Sequence, residues 1–222
     1  MASRYDQKLE FILRAAARIF AEKGYHPASM RDISRATGVS LAGLYYYCKS
    51  KEELLFLLQD HCFGRVQERL QERLQETSAP VEKLRVFVDN HLSFFAANQA
   101  EMKVLSHEAD SLSGALYKQV ATKKQGYTQL ARRILGEVQE SVSDGRHPID
   151  LTVATYALFG MMNWIYNWYD PDGKLSVADL VENVTRLFLS GFAGENSLKH
   201  NTFPPLAPER LSVWRESPEK LT

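Results

Sequence analysis

Apolar positions recur along almost the whole chain at the spacing of one helix face. Leu9, Ile12, Leu13, Ala16 and Phe20 form the first such row, and Gly24 after Lys23 stops it. Past Pro27, Ser29 is placed to cap a short helix with Asp32 at its third position. Met30, Ile33 and Ala36 are its inward residues, and Gly38 ends it. Ser40 caps a second short helix over 41–48. Ser50 and Glu53 have the spacing of a capping box and open a long helix to about Gln75, with Leu54, Leu58, Cys62, Val66, Leu70 and Leu74 facing inward.

Pro80 opens the next helix, which carries Leu84, Val88, His91 and Phe95 on one face, and a shorter helix follows around 100–109. A long helix is expected over 113–142, with Leu116, Val120, Tyr127, Leu130, Ile134 and Val138 inward. Asp144-Gly145 and Pro148 mark a turn. The stretch 151–169 is apolar almost all round and long enough to span a bilayer nominally. Thr152, Thr155, Asn163 and Asn167 argue instead for a helix buried on both faces, so no membrane partner is expected. Ser176 caps a final helix with Val177, Leu180, Val181, Val184, Leu187, Phe188 and Phe192 in its apolar row, and Leu175 with Leu180 is spaced as a hydrophobic staple. No segment reads as a strand. The expected class is all-α, with a helical unit over 1–50, a larger one over 51–194, and a proline-containing tail over 195–222 that has room for one short helix near Leu211 and Trp214.

Composition narrows the function more than the fold. The chain has 222 residues, 45% hydrophobic and 24% charged, enough to bury a sizeable core. Its formal charge is zero, yet residues 1–55 hold nine basic and six acidic groups, so the head is basic and the remainder acidic. That asymmetry suits a nucleic-acid contact at one end. Two cysteines, Cys48 and Cys62, make no disulfide framework, which points to a cytoplasmic setting, and MASRYDQKLE lacks an apolar signal core. No glycine-rich phosphate loop or G-x-S-x-G occurs, and His107-Glu108 lacks the second histidine of a zinc motif. Neither an enzyme, a metal nor a cofactor is therefore expected. His91 on its apolar face reads as a hydrogen-bonded core residue rather than a ligand contact, and Cys62 as packing.

The segment 29–48 has the dimensions of a helix-turn-helix. Ile33 and Ala36 pack inward, Gly38 relieves the turn, Val39 fills the corner, and Leu44 and Cys48 face the core. Leu41, Ala42, Gly43, Tyr46 and Tyr47 are left outward. Small residues at 42 and 43 let the helix approach the floor of a major groove. Tyr45, Tyr46 and Tyr47, if exposed, need a partner, and Lys49 and Lys51 flank a helix start whose free amides favour phosphate.

From Ile12 to Leu54 the chain resembles the TetR/AcrR family of transcriptional repressors. The resemblance is carried by IL-x-AA-x-x-x-F ending in Gly24, by S-M-R-D-I-x-x-x-x-GVS, and by GLYYYCKSKEEL. It implies a DNA-binding head on a ligand-binding, dimerising helical body. It also implies Ser29, Arg31, Ser40, Ala42, Gly43, Tyr45, Tyr46, Lys49 and Lys51 as DNA contacts, with Tyr45 and Lys51 on phosphates and Tyr46 and residues 41–43 reading bases. Cys48 stands where the family usually has a bulky Phe, and Tyr47 where it often has histidine. The segments EADSLSGALYKQVATKKQGY and GMMNWIYNWYDPDGKLS resemble the branch that represses fatty-acid and steroid breakdown, which implies an acyl-CoA effector. Phe94, Phe95, Leu105, Tyr127, Met162 and Trp164 are the candidate acyl-chain contacts. Lys123, Lys124, Arg132 and Arg133 are candidates for the CoA phosphates.

Residues 151–169 and 176–192 offer more apolar surface than one core can hide, and would pair with a second copy as a four-helix interface in which Ala157 and Gly160 allow close approach. The function that follows is a homodimeric repressor released from operator DNA by a hydrophobic small molecule. Two alternatives remain: a repressor answering an aromatic or drug-like compound, and a helical carrier or enzyme without DNA binding.

Overall fold

A computed structural model describes residues 3–141 and 149–194. Among them the chain is helical, in the order α1 (Arg4–Lys23), α2 (Met30–Thr37), α3 (Leu41–Tyr47), α4 (Lys51–Leu74), α5 (Pro80–Ala96), α6 (Gln99–His107), α7 (Gly114–Ser141), α8 (Leu151–Asn163) and α9 (Val177–Leu189). The turn expected at Asp144, Gly145 and Pro148, the tail over 195–222 and its short helix lie outside the described residues.

The starts of these helices follow from local chemistry. Ser29 Oγ accepts from the Asp32 amide while Asp32 Oδ2 accepts from the Ser29 amide at 2.9 Å, so each covers an orphan donor of the other. Gly38 ends α2 with φ of 66°, a left-handed turn that a side chain would strain. Ser40 Oγ accepts from the Gly43 amide and starts α3. Ser50 Oγ accepts from the Glu53 amide, but Glu53 returns its carboxylate to the Lys49 amide, one residue before the expected partner.

Ile12, Ala16 and Phe20 of α1, Ile33 of α2 and Leu44 of α3 are buried together against Leu54, Leu55 and Leu58 of α4. The core continues along α4 through Cys62, Val66 and Leu70 to Leu84, Phe87, Leu92 and Ile134. Helix α4 thus runs from the first three helices into the later bundle, packing on α1, α5 and α7.

Four expectations are corrected. Ala36 is exposed, and the half-buried Thr37 bonds back to the Ile33 carbonyl at 2.7 Å. Leu187 points outward while Leu180, Val184 and Phe188 are buried. The stretch 151–169 is not one helix: α8 tightens into a 3₁₀ turn over Trp164–Asn167. Asp170 precedes Pro171 and is disfavoured from the helical region, so the chain must leave the helix there. Tyr169 then folds inward, its hydroxyl donating to the Leu175 carbonyl at 3.1 Å and its carbonyl accepting from Gln99. Nor is the stretch buried on both faces, because Val153, Tyr156, Trp164 and Trp168 are each more than half exposed. No helix among the described residues is long and apolar enough to cross a membrane.

Candidate nucleic-acid interface and apolar cavity

Helix α3 presents a mostly open face. Ala42, Tyr45, Tyr46 and Lys49 are exposed, with Tyr46 at 73%, and Arg31 on α2 is exposed as well. Ser29 and Ser40 are exposed but already serve as caps. Gly43 is half-buried. A Cβ there would come within 2.9 Å of Val39 Cγ1, so the glycine is required by the corner of the motif as much as by anything outside it. Leu41 packs against the core rather than pointing out.

Tyr47 corrects the picture of three free tyrosines. It is half-buried, its ring centroid 4.9 Å from that of Tyr5 on α1, and Tyr46 meets the same ring edge-on at 5.9 Å. Tyr5 was not singled out from sequence because nothing local links the start of α1 to α3. The three rings hold α3 on α1, leaving Tyr45 and the outer edge of Tyr46 for a partner.

Lys51 is also corrected. Its ammonium donates to the carbonyls of Tyr25 at 2.8 Å, His26 at 3.0 Å and Ala28 at 2.9 Å, and lies 4.4 Å from the centre of the Tyr25 ring. All three hydrogens are therefore committed inside the molecule. Tyr25 is a joint in its own right, because its amide donates to Glu108 Oε1 at 3.3 Å. The Glu108 carbonyl accepts from Gln59 on α4, and Glu52 accepts from Ser113. The segment between α6 and α7 thereby ties the α1–α2 turn and the start of α4 to the later helices.

A cavity of about 390 Å³ lies between α4, α5, α6, α7 and α8. Phe95, Leu105, Tyr127 and Trp164 line it as expected. Phe94 does not: it lies on the far side of α5, near Leu13 and Cys62. Met162 is fully buried and faces away from it. Phe63, Val66, Met102 and Phe159, missed from sequence, complete the apolar lining. Their periodicity marks them only as inward, and which inward residues border a void depends on how five helices meet. Lys124 is at the rim, whereas Lys123 pairs with Asp60 at 2.5 Å and Arg132 donates to Thr152. His91 is both hydrogen-bonded and on the wall: Nδ1 lies 3.2 Å from the Tyr127 hydroxyl.

Residues 12–58 match the profile of the bacterial regulatory proteins of the tetR family, and residues 77–192, more than half of the chain, match the tetracyclin repressor-like C-terminal domain. The chain is a TetR-family regulator. Over 206 residues it is 30% identical to the HTH-type transcriptional repressor KstR2 of Mycolicibacterium smegmatis, covering 90% of this chain and 95% of that one. It is 28% identical over 181 residues to the fatty acid metabolism regulator protein of Bacillus subtilis, covering 81% and 93%. Among solved structures it is similar to AibR in complex with isovaleryl coenzyme A and operator DNA, with a TM-score of 0.72, 28% identity, and coverage of 83% and 97%. It is therefore a TetR-type transcriptional repressor, a DNA-binding regulator rather than an enzyme.

Two consequences of this geometry are measurable. In the regulator, Lys51→Met leaves three carbonyls without their donor, and should lower unfolding free energy by about 2 kcal/mol in a urea melt. Because the ammonium is already committed, the salt dependence of DNA binding should change little, unlike that of a Lys49→Met protein. Burial holds the His91 imidazole at about 3, far below its ordinary value. The unfolded chain thus takes up a proton below about pH 6.5 that the folded one refuses, so the stability is complete above that pH and is lost as pH falls toward about 3, at up to roughly 1.4 kcal/mol per unit. Urea midpoints between about pH 7 and about pH 5 should decline less steeply for His91→Gln than for the unaltered protein.

Proposed function

We propose that this repressor binds operator DNA as a homodimer through α3 and releases it when a hydrophobic acyl-CoA occupies the cavity. The division of labour would follow the expected units, 1–50 for DNA and 51–194 for ligand and partner, in the cytoplasm. The observation that carries the reading is the apolar cavity, within the size range of small-molecule sites, with a single free cation, Lys124, at its rim among the lining residues. An acyl chain suits the lining and a phosphate suits the lysine. The solved relative bound to isovaleryl coenzyme A and operator DNA supports the same ligand class.

Dimer formation is supported by α8 and α9. Ala157, Gly160, Met161, Trp164, Trp168 and Leu187 border one open apolar groove, in which Trp164, Trp168 and Leu187 are each more than half exposed, and a second copy would cover them. Two copies joined there would present two α3 helices, which operator recognition needs about 34 Å apart. Gly160 and Trp164 border both this groove and the cavity, so ligand and partner press on opposite sides of α8. Phe63 and Val66 bring α4 to the same cavity, and its start carries Lys51 and Glu52. A ligand preferring one arrangement of α4 and α8 shifts the spacing of the two heads by its difference in affinity.

The aromatic lining favours one competing effector, a flat aromatic compound. Calorimetric titration with acyl-CoAs, free fatty acids and aromatic cations separates the two, and a mobility shift on DNA upstream of the protein's own gene, with and without the tightest ligand, tests release. Tyr46→Ala should weaken operator binding about tenfold while sedimentation still finds a dimer. Unchanged affinity would remove Tyr46 from the interface. Leu187→Asp should sediment as a monomer and bind operator no better than unrelated DNA, and a dimeric Leu187→Asp protein would place the interface elsewhere.

A further inference from the structure

One polar assembly on the cavity wall is left unused by that reading. Asn90 and His91 on α5 and Tyr127 on α7 are all buried. Asn90 Nδ2 donates to the Val66 carbonyl at 3.0 Å, which fixes the orientation of its amide, and its Oδ1 accepts no hydrogen bond. The Asn90 amide also bears on the Tyr127 oxygen as a donor, so the acceptor left for the Tyr127 hydroxyl is His91 Nδ1 at 3.2 Å. A buried hydroxyl does not forgo its only acceptor, so the lone pair of the ring sits on Nδ1 and the hydrogen on Nε2. That Nε2–H is buried and closes no hydrogen bond, the Asn163 side chain approaching it without reaching hydrogen-bond geometry. Burial keeps the ring neutral, so this tautomer persists at physiological pH. The Asn163 side chain on α8 lines the same cavity and acts on this ring as a weak acceptor, one that a better-placed ligand oxygen would replace.

A buried donor that closes no hydrogen bond is unfavourable in the empty protein, and a ligand oxygen would relieve it. We propose that His91 Nε2–H, with the Asn163 amide beside it, is the seat of a carbonyl oxygen of the effector, so that the site selects a carbonyl-bearing chain over a hydrocarbon of the same shape. This rests on the cavity being the effector site and names the group recognised there. The carbonyl can be the thioester's own or a ketone further along the chain. The two sources share one chemistry and differ in where the oxygen sits.

The experiment is a titration of the full chain with octanoyl-CoA and with S-octyl-CoA, the thioether that lacks only the carbonyl oxygen, and with the corresponding 3-oxoacyl-CoA. The thioester should bind roughly three- to tenfold more tightly than the thioether, and the ratio should fall to about one in His91→Leu. His91→Gln, which keeps an amide donor, should retain part of it. If the 3-oxo chain alone outbinds the thioether, the seat takes the chain ketone. Asn163→Leu and His91→Gln carry the comparison should His91→Leu melt early. Equal binding of all three by the unaltered protein, or a full ratio surviving in His91→Leu, overturns the proposal. Should no CoA compound bind, the acyl-CoA reading falls, and methyl hexyl ketone against its methylidene hydrocarbon isostere decides the seat. A ketone preference lost in His91→Leu upholds it; no preference overturns it.

Discussion

Helix α4 is the member on which both ends of the molecule depend. Its first two turns are clamped to the DNA-binding helices by the Lys51 ammonium and by the buried side chains of Leu54, Leu55 and Leu58. Its middle forms part of the cavity wall through Phe63 and Val66. From Lys51 to Val66 a helix rises about 22 Å. A helix bends little without breaking backbone hydrogen bonds, so a displacement at Val66 is felt at Lys51 rather than absorbed between them. The clamp is also stoichiometric: three carbonyls meet three hydrogens, and losing any one leaves a polar atom unpaired. Whatever moves α4 therefore moves the α1–α2 turn with it.

The second tie, through Glu108, works in parallel. Its carboxylate reaches the Tyr25 amide and the Ser111 hydroxyl, and its carbonyl takes Gln59. The segment it belongs to joins α6 and α7, two walls of the cavity. A ligand in the cavity would thus have two mechanical routes to the same tyrosine, one along α4 and one through the α6–α7 junction. Tyr25 is buried against Phe20, so neither route ends on a freely rotating side chain.

What could be read from sequence divides by range. Ser29, Ser40, Ser50 and Ser176 were legible as caps because a cap is settled within four residues, and the row Leu54 to Leu70 because helical periodicity is local too. The Tyr5–Tyr47 contact and the three-carbonyl clamp of Lys51 join residues more than twenty positions apart, and no spacing rule announces them. A lysine beside a DNA-binding motif looks like a phosphate ligand until its neighbours in space are known. Ala36 and Leu187 failed for a different reason: an apolar residue on the margin of a helix face satisfies the periodic pattern whether it turns inward or out. The cavity was half legible. Phe95, Leu105, Tyr127 and Trp164 are large and inward-facing, but Phe94 and Met162 have the same credentials and lie elsewhere.

The polar wall of the cavity shows the same dependence on context. His91 sits on an apolar helix face where a core histidine is the ordinary expectation, and its bond to Tyr127 fulfils it. Only the fixed amide of Asn90, held by a carbonyl of α4, determines which nitrogen bears the hydrogen and leaves Nε2 without a closed hydrogen bond. An apolar isostere at that position would fill the space without leaving an unsatisfied donor. A donor kept there costs stability in the empty state, and an arriving acceptor would recover the cost. Because Asn90 is bonded to Val66 of α4 and Asn163 of α8 lies against the ring, a group that sensed such an acceptor would sit between the two helices that lead to the DNA-binding head and to the apolar groove.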